Sequence, residues 1–411
     1  MSRALAIHVR FTTRLCPSWT VRSAFPHPGY QRTGQVKRRF AALAAVAAAG
    51  TLLLTACGGG ASGSEQSSGV ATAKSAADLG GMDKLVEAAK KEGELNVIAL
   101  PHDWANYGEI LDAFKKKYGL KVTEANPEGS SQDEINAVKQ LKGQDRAPDV
   151  VDLGSAFALS AASDGLLAPY KVTTFDDIPA GQKADDGSWF FDYGGFISIG
   201  YDASKVTDPP KTLADLKKPE YKGKVALNGD PTKAGAAFAG VYAAALANGG
   251  SFADIKPGVQ FFADLKKSGN FIPVQSSAAT IESGQTPITL DWDYLQAGYA
   301  AKLKGKVDWK VTVPSDGIYS NFYAQGISKT APHPAAARLW EEFLYSDEGQ
   351  NLFLKGLSRP ARLPKMEAAG TADKTALAAL PKVEGDVKFP TDAQVNDAKK
   401  VLADEWAKAL G

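Results

Sequence analysis

Cysteine is nearly absent from this chain. Two occur in 411 residues, Cys16 and Cys57. Both stand within the first 57 positions, so residues 58–411 form no disulfide among themselves and present no thiol. A body of that length must be held by its apolar core, which its size permits. Histidine is almost as scarce. Of four in the chain, only His102 and His333 lie behind residue 57, which leaves Ser-His or Cys-His catalysis little to draw on. No Gly-x-Ser-x-Gly elbow, His-Glu-x-x-His pair or P-loop occurs. A hydrolase built around His102 with a serine and an aspartate is the one enzymatic form left open. Internal repeats are missing too, which argues against a repetitive adhesive or structural protein.

Positive charge is scarce where it would matter. The formal charge is +1, from 47 basic and 46 acidic residues. Residues 1–56 hold eight of the basic side chains and no acid; 47 less eight leaves 39 basic against 46 acidic residues in the remainder. That remainder is acidic and has no basic stripe, so nucleic acid is not an expected partner.

The front of the chain has a different order. Val36-Lys37-Arg38-Arg39-Phe40 precedes an Ala/Leu run, then Leu54-Thr55-Ala56-Cys57 and a Gly/Ser tract. A basic start, an apolar middle and small residues at a boundary are what an export signal needs. The run from Phe40 to Ala56 lies at the short end of the roughly 17–25 residues a membrane span takes, and it is mostly alanine. Leu-x-Ala-Cys resembles the lipobox of bacterial lipoproteins, which implies lipidation at Cys57 and a site of action outside the cytoplasm, on the membrane. Residues 1–35 carry scattered Pro, His and Arg without periodicity and are expected to be a non-native or disordered extension. The segments expected are thus 1–35 extension, 36–56 signal peptide and 57–81 flexible tether. Gly58-x-Gly60-x-x-Gly63 fits a dinucleotide fingerprint, but it follows no strand and opens no helix, so it carries nothing.

From Met82 onward helices and strands alternate. Leu85 and Ala89 share a helical face that ends at Gly93, Leu95–Leu100 reads as a buried strand, and Tyr107–Tyr118 as a helix with Ile110, Leu111 and Phe114 inward. Lys121–Ala125 and Asp149–Leu153 read as strands, and Ser130 or Ser131 as a helix cap. This rhythm implies an α/β fold with a largely parallel sheet. Ser188–Tyr201 breaks it as an extended aromatic run with a Gly194-Gly195 pair. Thr391-x-x-Gln394 has capping-box spacing and opens a last helix with Val395, Ala398, Leu402 and Trp406 on one stripe.

Pro209–Thr232, with Lys218-Pro219-Glu220-Tyr221-Lys222-Gly223-Lys224-Val225 at its centre, resembles the solute-binding proteins of ABC importers, in the group of ferric-ion, thiamine, phosphonate and polyamine binders. Gly326–Ala336 and Leu339–Gln350 continue the resemblance. It implies a type II periplasmic-binding-protein-like clamshell of two α/β lobes joined by two hinge crossovers, placed at 193–202 and 314–322. Lobe 1 is then 82–194 plus 318–411, with the last helix packed on it, and lobe 2 is 195–317. The resemblance also implies a monomer that binds a small-molecule solute without turnover or cofactor and serves a permease driven by a cytoplasmic ATPase.

In an open α/β sheet, ligands meet the loops beyond the strand C-termini. That rule selects His102, Asp103, Trp104 and Tyr107, then Ser130, Ser131 and Ser155. It also selects Asp230 and Thr232 before a helix, Asp291, Trp292 and Asp293 at a strand end, and Tyr193, Tyr319 and Tyr323 at the crossovers. Asp230, Ser130 and Ser131 equally suit helix caps, and His102 a surface role. By resemblance, Trp292 stands where polyamine binders stack a tryptophan. Carboxylates beside aromatic faces suit an amine-bearing cation, and serine-led helix starts suit a phosphate or phosphonate. A zwitterion would use both. Ferric ion remains the alternative, although its binders mostly use adjacent tyrosines and no Tyr-Tyr occurs here.

Overall fold

The computed structural model describes residues 69–381 and 389–411. The export segment, Cys57 and the tether up to residue 68 lie outside the described residues. The rest of the expected tether is packed rather than free. Val70, Ala73 and Ala76 are buried, and the Arg338 guanidinium donates to the carbonyls of Ala71 and Ala73. Short side chains let this backbone lie against a helix, where an arginine satisfies carbonyls that burial takes from water.

The first elements are α1 (Met82–Glu92), β1 (Glu94–Ile98), α2 (Tyr107–Tyr118), β2 (Lys121–Ala125), α3 (Ser131–Gln140), β3 (Val150–Gly154), α4 (Ser155–Ser163) and β4 (Leu167–Ala168). Gly93 and Gly119 end α1 and α2 in the left-handed conformation, φ 78° and 73°, where a side chain would be strained. Ser130 and Asp133 cap α3 reciprocally. Strand β5 (Phe190–Asp202) follows, then β6 (Val225–Leu227), α5 (Gly235–Ala247), α6 (Lys256–Ser268), α7 (Ala278–Glu282), β7 (Ile288–Trp292), α8 (Asp293–Lys302) and β8 (Trp309–Thr312). Helix α5 is alanine-rich and buried nearly all round, so it is a core helix and not an amphipathic one. The chain closes with β9 (Ser320–Ser328), α9 (Pro334–Leu344), α10 (Asp347–Lys355), β10 (Arg359–Pro360), α11 (Leu363–Ala369), α12 (Lys374–Ala379) and α13 (Asp392–Leu410).

The sheet is mixed, which corrects the expectation of a largely parallel one. Strands β1 and β2 pair in parallel, as do β6 and β7. The main sheet runs β3-β9-β5-β7-β6, and β5 and β9 run antiparallel to every described partner. The local strand–helix rhythm describes each end of the sheet, whereas β5 and β9 come from connections that enter it against that direction. Strand β5 belongs to both halves. Phe190–Phe196 pairs with β9, and Ile197–Asp202 pairs with β7 and β8, with a register shift between Phe191 and Gly194.

Helix α13 buries the expected stripe of Val395, Ala398, Leu402 and Trp406, but its packing differs from expectation. Trp406 meets Phe262 of α6 edge-on at 5.6 Å, while the Lys399 ammonium donates to Ser160 Oγ and the Ala156 carbonyl of α4. The helix therefore contacts both halves, because an aromatic anchor and a long cationic arm on neighbouring turns reach in different directions.

Candidate functional site

A cavity of about 530 Å³ opens where the β1–α2 loop, the starts of α3 and α5, the end of β3 and one side of α8 converge. Trp104, Asp103 and Ser130 face it from one half. Asn228, Asp230, Lys233, Ser276, Tyr299 and Lys302 face it from the other. Tyr323 of β9 lies between.

The loop carrying Asp103 and Trp104 is tightly folded. Ala105 and Asn106 take positive φ of 45° and 69°, conformations that cost free energy unless the surroundings impose them. The imposing contacts are local: Trp104 N donates to Pro101 O and Tyr107 N to Trp104 O. Trp104 Nε1 donates to the Tyr193 hydroxyl at 2.7 Å, and its ring meets Tyr323 and Tyr294 edge-on at 5.5 and 6.3 Å. Edge-to-face packing at these distances is favourable and fixes ring orientation.

The floor is acidic. Asp152 is buried in the cavity wall, and the hydroxyls of Tyr193 and Tyr107 donate to its Oδ2 at 2.7 and 2.8 Å. Its Oδ1 has no hydrogen-bond partner. Burial pushes this carboxyl up to about 7, and the two phenol hydrogen bonds oppose the rise. Glu134 beside it accepts from Asp152 N at 2.8 Å; burial, then the Asp152 charge, hold it well above the carboxylate range. No basic side chain pairs with either carboxylate among the described residues. Such a floor is short of positive charge.

The opposite wall is more donor-rich. Helix α5 starts at Gly235 with no side chain capping its amides. Ser276 lines the cavity, its Oγ buried and without a partner, and Lys233 stands at the rim. The two walls touch at the mouth, where Lys302 and Asp103 form an ion pair of 2.5 Å and Gln132 N donates to Lys233 O at 3.2 Å.

Of the residues singled out from sequence, Asp103, Trp104, Ser130, Ser131, Asp230 and Tyr323 line this cavity. The others lie elsewhere. His102 is exposed and bonded to Glu124 at 2.6 Å. Tyr107 and Tyr193 stand behind the wall and act on it through Asp152. Ser155 accepts from Asn321 Nδ2, which also donates to the Tyr319 hydroxyl. Thr232 caps a turn on Asp230 Oδ1. Asp230 therefore closes a turn and does not cap α5, whose first flanking residue is Ala234. The Asp291–Trp292–Asp293 cluster is buried outside the cavity lining. Asp291 accepts from Asn228 Nδ2 and is raised by burial to about 7, Trp292 stacks on Tyr294, and Asp293 pairs with Arg359 at 2.7 Å. The strand runs on through Trp292 and α8 opens at Asp293, so Asp291 and Trp292 are held in the sheet and Asp293 at the helix start, away from the cavity.

Sequence reasoning passed over Asp152, Glu134, Tyr299, Ser276, Lys233 and Lys302. Asp152 carried a signal, an acid inside the apolar run Val150–Leu153. Glu134, beside Ile135 on the inward face of α3, carried a similar one. The other four show no pattern apart from their neighbours.

The profile of the bacterial extracellular solute-binding proteins matches residues 145–406, more than half of the chain. The chain belongs to that family. Similar curated proteins include the iron uptake protein A1 of Synechocystis, 22% identical over 280 residues (65% of this chain, 75% of that one). Another is the thiamine-binding periplasmic protein of Brucella abortus, 26% identical over 155 residues (36% and 45%). Among solved structures, the periplasmic binding protein AfuA of Actinobacillus pleuropneumoniae superposes with a TM-score of 0.61 at 19% identity, covering 77% of this chain and 98% of its own. Iron-bound HitA of Pseudomonas aeruginosa gives 0.59 at 22%, with 77% and 99% covered. The fold of this solute-binding protein is thus the two-lobe fold of periplasmic binding proteins. Among the described residues, no helix is long and apolar enough to cross a membrane.

Proposed function

We propose that this solute-binding protein captures a small, polar, amine-bearing solute between its lobes and delivers it to the permease of an ABC importer. The observation that carries the reading is Asp152. It is a buried carboxylate in the cavity wall, with one oxygen fixed by two phenols and the other unpartnered. An ammonium group docked on Oδ1 supplies the missing positive charge, and Trp104 and Tyr323 offer aromatic faces to the carbon framework. The partnerless Ser276 hydroxyl and the uncapped start of α5 suit a second, anionic group, so a zwitterion fits as well as a simple amine.

The lobes are taken as 82–194 plus 318–411 and 195–317, with β5 as one crossover and 314–322 as the other. Residues 36–56 direct export, Cys57 carries the lipid, and the protein works as a monomer on the outer face of the cell membrane, binding its solute without chemical turnover.

Ferric ion is the second reading, favoured by the phenol and carboxylate oxygens around Asp152 and by the similarity to an iron uptake protein. Against it, the sequence has no adjacent pair of tyrosines, the pattern that most ferric-ion binders use.

The test is a thermal-shift panel on the full chain with spermidine, thiamine, 2-aminoethylphosphonate and ferric citrate, since a ligand of the folded state raises the midpoint by mass action. A shift with one of the amines is the expected result. A shift with ferric citrate alone replaces the proposal by the iron reading, and no shift with any of the four overturns both.

A further inference from the structure

Beneath the ion pair at the mouth, the two walls meet backbone to backbone. Gly154 ends β3 and Gly235 opens α5. A β-carbon on Gly154 would stand 2.9 Å from the Gly235 Cα, and one on Gly235 would stand 3.1 Å from both the Gly154 Cα and the Tyr323 hydroxyl. The first is closer than real β-carbons approach anything, and the obstructing atom is main chain, which cannot swing away. Neither position needs glycine for its own conformation. Gly154 has φ −51° and ψ 140°, and Gly235 begins a helix and is not among the residues of positive φ. Any residue adopts such angles.

Within its own half, a β-carbon on Gly154 would come no nearer than 3.7 Å, to Ser131 Oγ, an ordinary contact. The close approach exists only because the other half is there. We infer that Gly154 and Gly235 form a closure seam, two bare backbone faces whose contact permits the shut position of the lobes, so that one methyl group at either point wedges the cleft open without disturbing either lobe. The inference rests on the reading of residues 195–317 as the second lobe. Gln132 N to Lys233 O and the Asp103–Lys302 pair flank the seam, and both require the same approach. Opening at the seam therefore breaks all three contacts together.

The experiment measures lobe separation directly. In the full chain with Cys16→Ser and Cys57→Ser, nitroxide labels are attached at Lys142→Cys and Lys304→Cys, exposed positions in the first and second halves. Their distance distribution is recorded with and without spermidine. The unmodified seam gives a short-distance population. Gly154→Ala removes it while the thermal midpoint stays unchanged, and Gly154→Ser does the same. Gly235→Ala, approaching from the other side, gives the same loss and serves where Gly154→Ala fails to fold. The proposal is overturned by a short population that survives in the Ala variants, by its absence from the unmodified seam in both conditions, or by unfolding of the Gly154 and Gly235 variants alike. The thermal-shift panel judges the solute class separately. A flat panel with a short distance still governed by Gly154 leaves the seam standing and removes only the amine reading.

Discussion

Asp152 draws its interest from asymmetry. Oδ2 takes two phenol hydrogen bonds while Oδ1 takes none, so burial of the charge is only half compensated. A hydrogen bond to a charged group contributes about 1.5–3 kcal/mol. Asp152→Asn should therefore weaken binding of the amine found by the panel roughly 10- to 100-fold, read by calorimetry, with little change in fold. The pH dependence follows from the raised carboxyl. A bound cation favours the ionised form, so binding expels a proton from any molecule in which Asp152 is protonated. Affinity should be steady above about pH 7 and fall towards tenfold per unit below it. The asparagine variant should show a flatter profile. The unliganded protein responds in the opposite sense. Between the ordinary aspartate value near 4 and about 7, the folded state holds a proton that the unfolded chain has lost. Its stability contribution therefore declines as pH rises through that window.

At the scale of elements, α13 shows what a sequence pattern reveals and what it leaves open. The stripe Val395, Ala398, Leu402, Trp406 and the Thr391 cap were legible because a period of 3.6 and a capping box are local properties. The partner was not legible, because Phe262 lies far away in sequence and nothing in α13 names it. The sheet has the same division. Strand positions follow from apolar runs and glycine stops, whereas the antiparallel entry of β5 and β9 is a matter of connection. The binding wall mixes both cases. Ser130, Asp103 and Trp104 follow from the strand-end rule, while Ser276 and Lys302 reach the cavity through folding alone. Trp406 offers a check on the bridging role. Trp406→Ala should cost about 3–5 kcal/mol in urea unfolding, the usual loss for a buried aromatic. A cost below 1 kcal/mol would mean that α13 is dispensable to the core.

For the whole molecule, location and mechanics are separable. On the proposed reading, the export segment and Cys57 decide where the protein works, and the body from Val70 onward decides what it holds. Cys57→Ser should move the protein from the membrane fraction into the soluble extracellular fraction, detected by fractionation and immunoblot, while the solute-induced thermal shift is unchanged. Retention in the membrane fraction would remove the lipid-anchor proposal. The body needs no oxidative folding, since it has no cysteine to pair. Its cohesion comes from a continuous apolar core that draws residues from Val70 to Trp406.

The edge-on contact of Trp104 with Tyr294 has an optical consequence. On the proposed division into lobes Trp104 belongs to the first and Tyr294 to the second, and the indole N–H is tied to the Tyr193 hydroxyl. Closing the cleft changes the polarity around that indole, so its emission maximum and quantum yield should change with lobe position. Solute addition to the unmodified protein should shift the tryptophan spectrum, and Trp104→Phe should abolish most of that change while the six remaining tryptophans keep emitting. The protein would then carry its own fluorophore in the cavity wall, and solute capture could be timed by stopped-flow mixing without attaching a dye.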